Sequence, residues 1–213
     1  AIVGLASAGQ ASYEAAPNSG IGSNGLTSAR HDLLKPTYRK KYPETLDPGT
    51  KKELTYCGPF KLGDALPGTS QTVGEALLSP TRTYAPVIAK LRREAPHCLR
   101  GIVHCSGGGQ TKCLRFGKGV HFVKDRLMPL PPVFTQIQKA SATKWKEMYQ
   151  VYNMGHRMEI YCKPEEAETV IAAASAFGIS AQVIGETRLS ETDNGANHLS
   201  LTHGKKTLSY RLA

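Results

Sequence analysis

The chain has 213 residues, 40% of them hydrophobic and 21% charged, which is enough apolar side chain for one large domain or two small ones. No apolar run reaches the ~20 residues that a bilayer crossing needs, and no basic stretch leads an apolar one at the start, as a secretory signal would. A formal net charge of +10 favours anionic partners without choosing among phosphorylated metabolites, nucleic acid and a membrane surface.

Residues 2–6 read as a short buried strand, and 8–18 as a loop of small and polar residues. The run opens inside a strand and without an initiator Met, as a piece of a longer protein would. Ser19-Gly20-Ile21-Gly22-Ser23-Asn24-Gly25 follows, and Leu26, Ala29 and Leu33 then recur at helical spacing. The helix stops near Lys35-Pro36, because Pro disfavours helical geometry in the residue before it. Ser23 or Asn24 is placed to cap its start by accepting a backbone N–H bond. Free amides at such a start, with the helix dipole, attract an anion, and glycines let the backbone approach it. The expectation is a phosphate cradle of Ser19, Gly20, Gly22, Ser23, Asn24 and Gly25; an ordinary Gly-rich turn is the plain alternative. Gly20, Gly22 and Gly25 also spell G-x-G-x-x-G. No strand runs straight into the first glycine, however, and Tyr38-Arg39-Lys40-Lys41-Tyr42-Pro43 after the helix is not strand-like, so the dinucleotide fingerprint is incomplete.

Residues 36–71 carry five prolines and four glycines and read as a long irregular connection, followed by a short helix over 73–78. Ser79-Pro80 is expected to open a helical stretch with an apolar stripe of Tyr84, Val87, Ile88 and Leu91. Pro86 inside it predicts a break or kink, and Pro96 closes it. A strand over 99–105 runs into Ser106-Gly107-Gly108-Gly109 and a helical turn over 110–116, a second strand–glycine–helix corner. A strand over 120–123 precedes two helices, one carrying Val133, Phe134 and Ile137, the other over 142–151 with Trp145, Met148 and Tyr149 read as core. Met158, Ile160 and Cys162 alternate with Arg157, Glu159 and Tyr161 in strand register. Pro164 starts the strongest helix, with Ala167, Val170, Ile171, Ala174 and Phe177 buried and Gly178 as its stop. A strand over 179–184 completes a right-handed crossover, and residues 199–202 and 207–212 form a hairpin around Gly204. The mixture predicts an α/β (α+β) domain spanning 1–213, layered α/β/α, with a mixed, partly antiparallel sheet.

The five cysteines, Cys57, Cys98, Cys105, Cys113 and Cys162, include no C-x-x-C pair. His97-Cys98, His104-Cys105 and Cys113 invite a metal reading. Several of these positions lie in apolar strand-like runs, where a free Cys acts as a small core residue, so no metal ligand is assigned and reduced, cytoplasmic thiols are expected.

Four segments together resemble one family: Val3-Gly4-Leu5-Ala6-Ser7 with the glycine run 19–25, Leu78-Ser79-Pro80-Thr81-Arg82-Thr83-Tyr84, Ile102-Val103-His104-Cys105-Ser106-Gly107-Gly108-Gly109, and Glu147-Met148-Tyr149-Gln150-Val151-Tyr152-Asn153-Met154-Gly155. In this order and spacing they look like the C-terminal half of the phosphoribosylformylglycinamidine cyclo-ligases, or aminoimidazole ribonucleotide synthetases. The resemblance implies an ATP- and magnesium-dependent ligase of purine biosynthesis, cytoplasmic and homodimeric when full-length, that closes the imidazole ring of formylglycinamidine ribonucleotide. It also implies that the acidic magnesium ligands and a lysine-bearing nucleotide motif belong to an N-terminal domain this chain lacks, so the chain alone should not turn over. The glycine run would hold the ribose 5′-phosphate, with Ser23 and Asn24 adding side-chain donors, and Gly107, Gly108 and Gly109 would approach the nucleotide unless they are a plain turn. His104 is the candidate acid–base group, against a hydrogen-bonded structural histidine; Asn153 is a turn residue or a ligand contact.

The chain departs from the family in three places. Gly22 stands where a His is usual, residues 10–18 look inserted, and His156-Arg157 replace smaller residues. Two alternatives stay open: another ATP-dependent member of the superfamily, of the selenophosphate synthetase or thiamine-phosphate kinase type, and a non-catalytic basic module binding anions or nucleic acid. The scattered basic residues, without clustered stacking aromatics, disfavour nucleic acid, and no membrane partner is expected.

Overall fold

The computed structural model describes residues 1–191 and 195–211. Its strands in chain order are β1 (Ile2–Ala6), β2 (Ala8–Gly9), β3 (Asn18–Ser19), β4 (Gly101–His104), β5 (Val120–Lys124), β6 (His156–Tyr161), β7 (Ala181–Leu189), β8 (His198–His203) and β9 (Lys206–Arg211). The helices are α1 (Leu26–Leu33), α2 (Thr37–Lys41), α3 (Val73–Leu78), α4 (Ala85–Glu94), α5 (Pro132–Ser141), α6 (Trp145–Val151) and α7 (Ala167–Ser175).

Seven strands make one sheet in the order β4-β6-β1-β7-β5-β8-β9. β5 and β8 pair in parallel and the other neighbours antiparallel, so the sheet is mixed as expected. β1 is the third strand, paired on both sides, and all five of its residues are buried, which is why it reads as an unbroken apolar run rather than an alternating one. Gly4 is demanded there: a Cβ would stand 2.8 Å from Ile184 Cγ2. The helix after Pro164 does link two parallel strands, β6 and β7, but β1 is slotted between them and runs antiparallel to both.

Helices cover both faces. On one, α1, α3, α5 and α6 share a core with Ile2, Phe122, Ile184, Leu199 and Leu201. On the other, α4 and α7 pack with Val3, Leu5 and Ile160. The alternation of Ile2 and Val3 between the two cores is the period-2 geometry of a strand, and the result is the expected α/β/α layering. Among the described residues no helix is long and apolar enough to cross a membrane.

Three local expectations need correction. The stretch from Ser79 is extended, and α4 begins only at Ala85, with Pro86 in its first turn; there the missing N–H costs nothing, so no kink follows. Residues 8–18 are not all loop, since β2 pairs with β3. The irregular connection contains α2, two 3-10 turns and a bridge from Leu34 to Phe60. The terminal hairpin forms between β8 and β9, its expected end at Leu212 lying outside the described residues.

Candidate functional site

The glycine run leaves the β3 end of the small ribbon and enters α1. Its first half is already saturated. The Ser19 amide donates to Ser79 Oγ at 3.0 Å, the Gly20 amide to Asn18 Oδ1 at 2.9 Å and the Ile21 amide to Ser19 Oγ at 3.2 Å, all buried. Ser23 donates to Thr81 Oγ1 at 3.2 Å. The amides of Gly22, Asn24 and Gly25 take no partner among the described residues. The expected cradle of six residues is thereby narrowed: Ser19 and Gly20 offer no spare amide, and the unpartnered donors belong to the buried Gly22 and to the half-buried Asn24 and Gly25, beside the exposed Ser23. The expected side-chain cap does not form. Gly25 itself occupies the N-cap in the left-handed region, φ 76°, and the Asn24 side-chain Nδ2 reaches across to donate to Val151 O at the end of α6.

The second corner, Ser106 to Gly109, closes on itself. Gly109 N donates to Ser106 O at 2.9 Å, and Thr111 N to Gly108 O at 2.9 Å. Gly109 (φ 49°) is wedged against α6, where a Cβ would stand 2.5 Å from Tyr152 O and 2.6 Å from Tyr149 O. Gly107 is exposed and faces the first corner, with Asn24 Oδ1 3.8 Å from where its Cβ would lie. Two glycine corners about eighty residues apart in sequence therefore meet across Asn24.

Two side chains from β4 and β6 stand behind this meeting point. His104, at the end of β4, has a buried Nε2 with no hydrogen-bond partner, which argues against the structural-histidine alternative. Its pKa is pushed down by burial first and then by the positive charges of Arg157 and Lys112, so the ring is neutral at neutral pH. Arg157, at the start of β6, is 4% exposed and donates from Nη2 to Gly20 O at 2.8 Å. Asn153 acts as a turn residue, accepting from Gly155 N at 3.1 Å, and also donates to Gly20 O at 2.8 Å.

The Ser79–Thr83 stretch is held extended by the same loop. Arg82 is buried, forks onto Glu14 at 2.8 and 2.7 Å, and donates to the carbonyls of Ala6, Ala8 and Gly9. It thus ties the end of β1 to the 10–18 segment. Beside it a groove of about 730 Å³, lined by Tyr13, Glu14, Gln71, Leu78, Thr81 and Arg82 among others, opens to solvent.

Beneath the second corner lies a buried polar network. Lys124 and Glu159 are both fully buried, 2.5 Å apart. Glu159 also accepts from His156 Nε2 at 3.1 Å, Tyr161 Oη at 2.6 Å and Cys105 Sγ at 3.2 Å. Burial alone would raise the Glu159 pKa; Lys124 and the His156 bond outweigh it and hold the carboxylate well below its usual range. Lys124 donates to Gln110 O and Oε1, and Gln110 Nε2 donates to the carbonyls of Asn153 and His156. Gln110 thus joins the ion pair to the Asn153 carbonyl, and the Asn153 side chain in turn donates to Gly20 O. Cys105, His156 and Glu159 bring three ligand-type atoms within 4.8 Å of one another. The donor set does not suit a cation: burial and the Glu159 charge push the Cys105 thiol well above its ordinary pKa, keeping it protonated, and Lys124 already occupies the carboxylate. Magnesium, which takes oxygen ligands in a nearly octahedral shell, finds no such shell there. Cys98, Cys113 and Cys162 are buried free thiols and His97 is exposed.

Reasoning from sequence missed Arg157, Arg82, Lys124 and Glu159 as members of this region. The one signal available was the departure at Gly22 together with the one at Arg157, two positions that turn out to touch.

The family described as AIR synthase related protein, C-terminal domain, matches residues 1–191. A phosphoribosylformylglycinamidine cyclo-ligase of Methanopyrus kandleri is 33% identical over 185 residues, covering 87% of this chain and 43% of that protein. Cyclo-ligases of the same name from Methanocaldococcus jannaschii and Methanococcus vannielii are 32% and 31% identical, covering 84% and 79% of this chain and 45% and 42% of theirs. The chain thus spans a little under half the length of the curated relatives it matches. On the family match over most of its length, the chain belongs to the AIR synthase related proteins, as a C-terminal domain of that family.

Proposed function

We propose that this chain is the substrate-holding C-terminal half of an ATP-dependent cyclo-ligase converting formylglycinamidine ribonucleotide to aminoimidazole ribonucleotide in purine biosynthesis. The observation that carries the proposal is the meeting of the two glycine corners: Asn24 Oδ1 approaches Gly107, the backbone amides of Gly22, Asn24 and Gly25 take no partner among the described residues, and Arg157, which lies against Gly22, acts on a neutral His104. The named activity of the relatives supplies the reaction class.

The chemistry asks for three things. ATP phosphorylates the formyl amide oxygen, releasing ADP; an amidine-side nitrogen then attacks that carbon, expels inorganic phosphate and closes the ring. The substrate must be anchored away from its reacting end, the nucleophile oriented, and developing charge met by fixed donors. The open amides, with the Ser23 hydroxyl, anchor the ribose 5′-phosphate. His104, neutral at neutral pH, takes or gives a proton at the amidine. Asn24, pinned to Val151 O, orients its free oxygen toward the substrate between the corners.

Gly107 and Gly108 lie at the edge where ATP would approach. Most ATP contacts, and all magnesium ligands, are assigned to the N-terminal half of the full-length protein, which is expected to be a cytoplasmic homodimer. The isolated chain is then inactive. No nucleic acid or membrane partner is needed by this reaction.

The test is an assay of the full-length protein for ATP-dependent ring closure with magnesium and potassium. His104→Gln is expected to lower kcat about 100-fold with KM little changed. Absence of any ring closure in the wild-type protein, or unchanged kcat in H104Q, contradicts the assignment.

A further inference from the structure

We propose that the Arg157 guanidinium is the fixed counter-charge for the anion held between the two glycine corners. The inference rests on the phosphate-holding role given above to the glycine run and adds the group that determines its charge selectivity.

Gly22 sits in the left-handed region, φ 58°, and a Cβ built on it would fall 1.9 Å from Arg157 Nη2, 2.1 Å from Nη1 and 2.2 Å from Cζ. The guanidinium therefore fills the volume that a side chain at position 22 would occupy. Gly22 and Arg157 are one device: a backbone without a side chain and a long cation laid against it. The Arg157 plane lies directly against the residue that opens the set of unpartnered amides.

Three cations are buried in this part of the fold, and two bring their own carboxylates: Arg82 has Glu14 and Lys124 has Glu159. Arg157 has no carboxylate within 4.0 Å among the described residues and relies on Gly20 O. A buried charge is costly unless it is paired. Its surroundings deepen the deficit, since Arg82 acts on it as a further positive charge and Lys112 adds another beside His104. The site is thus positively charged before any ligand arrives.

A guanidinium offers a planar fork that matches two oxygens of a phosphate group, and such charge-assisted bonds are among the stronger ones. With one N–H on Gly20 O, other N–H groups remain for a ligand seated at Gly22. The ligand class is a phosphate dianion. Its source is either a sugar phosphate monoester or the inorganic phosphate released by the reaction.

The experiment is titration of the 15N-labelled chain with inorganic phosphate, and separately with ribose 5-phosphate, followed by amide shifts of Gly22, Asn24 and Gly25. In the wild type these amides are expected to move saturably. Arg157→Met should weaken phosphate at least tenfold, and Arg157→Lys, which keeps the charge but loses the fork, several-fold. Tighter binding of ribose 5-phosphate than of phosphate assigns the site to the substrate's sugar phosphate; the reverse order assigns it to the released phosphate, and Arg157 is the counter-charge in both. Equal affinity in wild type, R157K and R157M overturns the role of Arg157 while leaving the glycine run as the anion site. No movement of these amides in the wild type removes both. If R157M does not fold, R157K decides: a several-fold loss supports the proposal and an unchanged affinity overturns it.

Discussion

Glu159→Gln tests the buried network most sharply. The substitution keeps shape and one acceptor oxygen but removes the charge facing Lys124, which is 0% exposed. Lys124 retains Gln110 O at 2.8 Å and Gln110 Oε1 at 3.2 Å, so its ammonium is not stripped of partners, only of its counter-charge. Removing one member of a buried ion pair costs about 3–5 kcal/mol; the two remaining acceptors place the expected loss at the lower end, about 3 kcal/mol. Against a domain stability of about 5–15 kcal/mol that is a large fraction. With a urea slope of about 2 kcal/mol/M, the unfolding midpoint should fall by roughly 1.5 M. The double variant K124M/E159Q removes both charges and leaves the Gln oxygen for Tyr161 and His156, so it should recover at least half of the loss. Equilibrium urea unfolding of the four proteins, with slopes compared for two-state behaviour, is the assay. A loss under about 1 kcal/mol for E159Q, or a double variant that merely adds the two single effects, would refute the view that this pair is a coupled, desolvated unit.

Stability should also fall with acid earlier than carboxylates alone dictate. Burial lowers the His156 pKa from its ordinary 6.5, so below about pH 6.5 the unfolded chain binds a proton that the fold refuses, and stability drops as pH falls. The depressed Glu159 adds stability that is present above its ordinary 4.5 and is lost only as pH falls through its lower folded value. Urea unfolding at pH 7.5 and 5.5 should therefore show a loss of up to about 1.4 kcal/mol per pH unit from His156, shallower in H156Q; a flat profile contradicts this. Gly109→Ala forces a Cβ to within 2.5 Å of Tyr152 O at a positive φ, and should cost about 1–3 kcal/mol in chemical unfolding; an unchanged midpoint would show that the corner yields freely. Asn153→Ala removes the bonds to Gly20 O and from Gly155 N and should cost about 1–3 kcal/mol while raising hydrogen exchange around residues 20–25. Unaltered exchange there would disconnect Asn153 from the loop.

Elements set by local pattern were legible in the sequence. β1, α3 over Val73–Leu78, α7 with Gly178 behind it and the β8–β9 hairpin follow from apolar spacing and punctuation by Gly and Pro. What was not legible depended on partners far along the chain. Ser79–Thr83 carries helix-start signals, yet it stays extended because Ser79 Oγ accepts from Ser19 N and Asn18 donates to Pro80 O. Asn24 looks like a helix cap, but its side-chain amide is taken by Val151 O, 127 residues away. The alternation in β6 holds from Met158 to Tyr161, but Glu159 and Tyr161, polar by sequence, are turned inward, and a register shift leaves Arg157 as an extra residue at the start of the strand. Arg157 and Glu159 are buried and Tyr161 is half-buried, because Lys124 and His156 supply partners to Glu159, Glu159 accepts from Tyr161, and the Gly20 carbonyl accepts from Arg157. Strand periodicity cannot distinguish a solvated polar face from one buried against another polar surface. The two glycine corners were both visible as motifs; their contact across Asn24 was not.

The central claim is that Gly22, Asn24 and Gly25 hold the phosphate end of a ribonucleotide against Arg157. A crystal structure of the chain with formylglycinamidine ribonucleotide tests it most directly. The account predicts the 5′-phosphate within hydrogen-bonding reach of these three amides and the guanidinium, with the formyl end directed toward His104. A phosphate seated instead in the groove between Tyr13 and Arg82, with the three amides untouched, would contradict it.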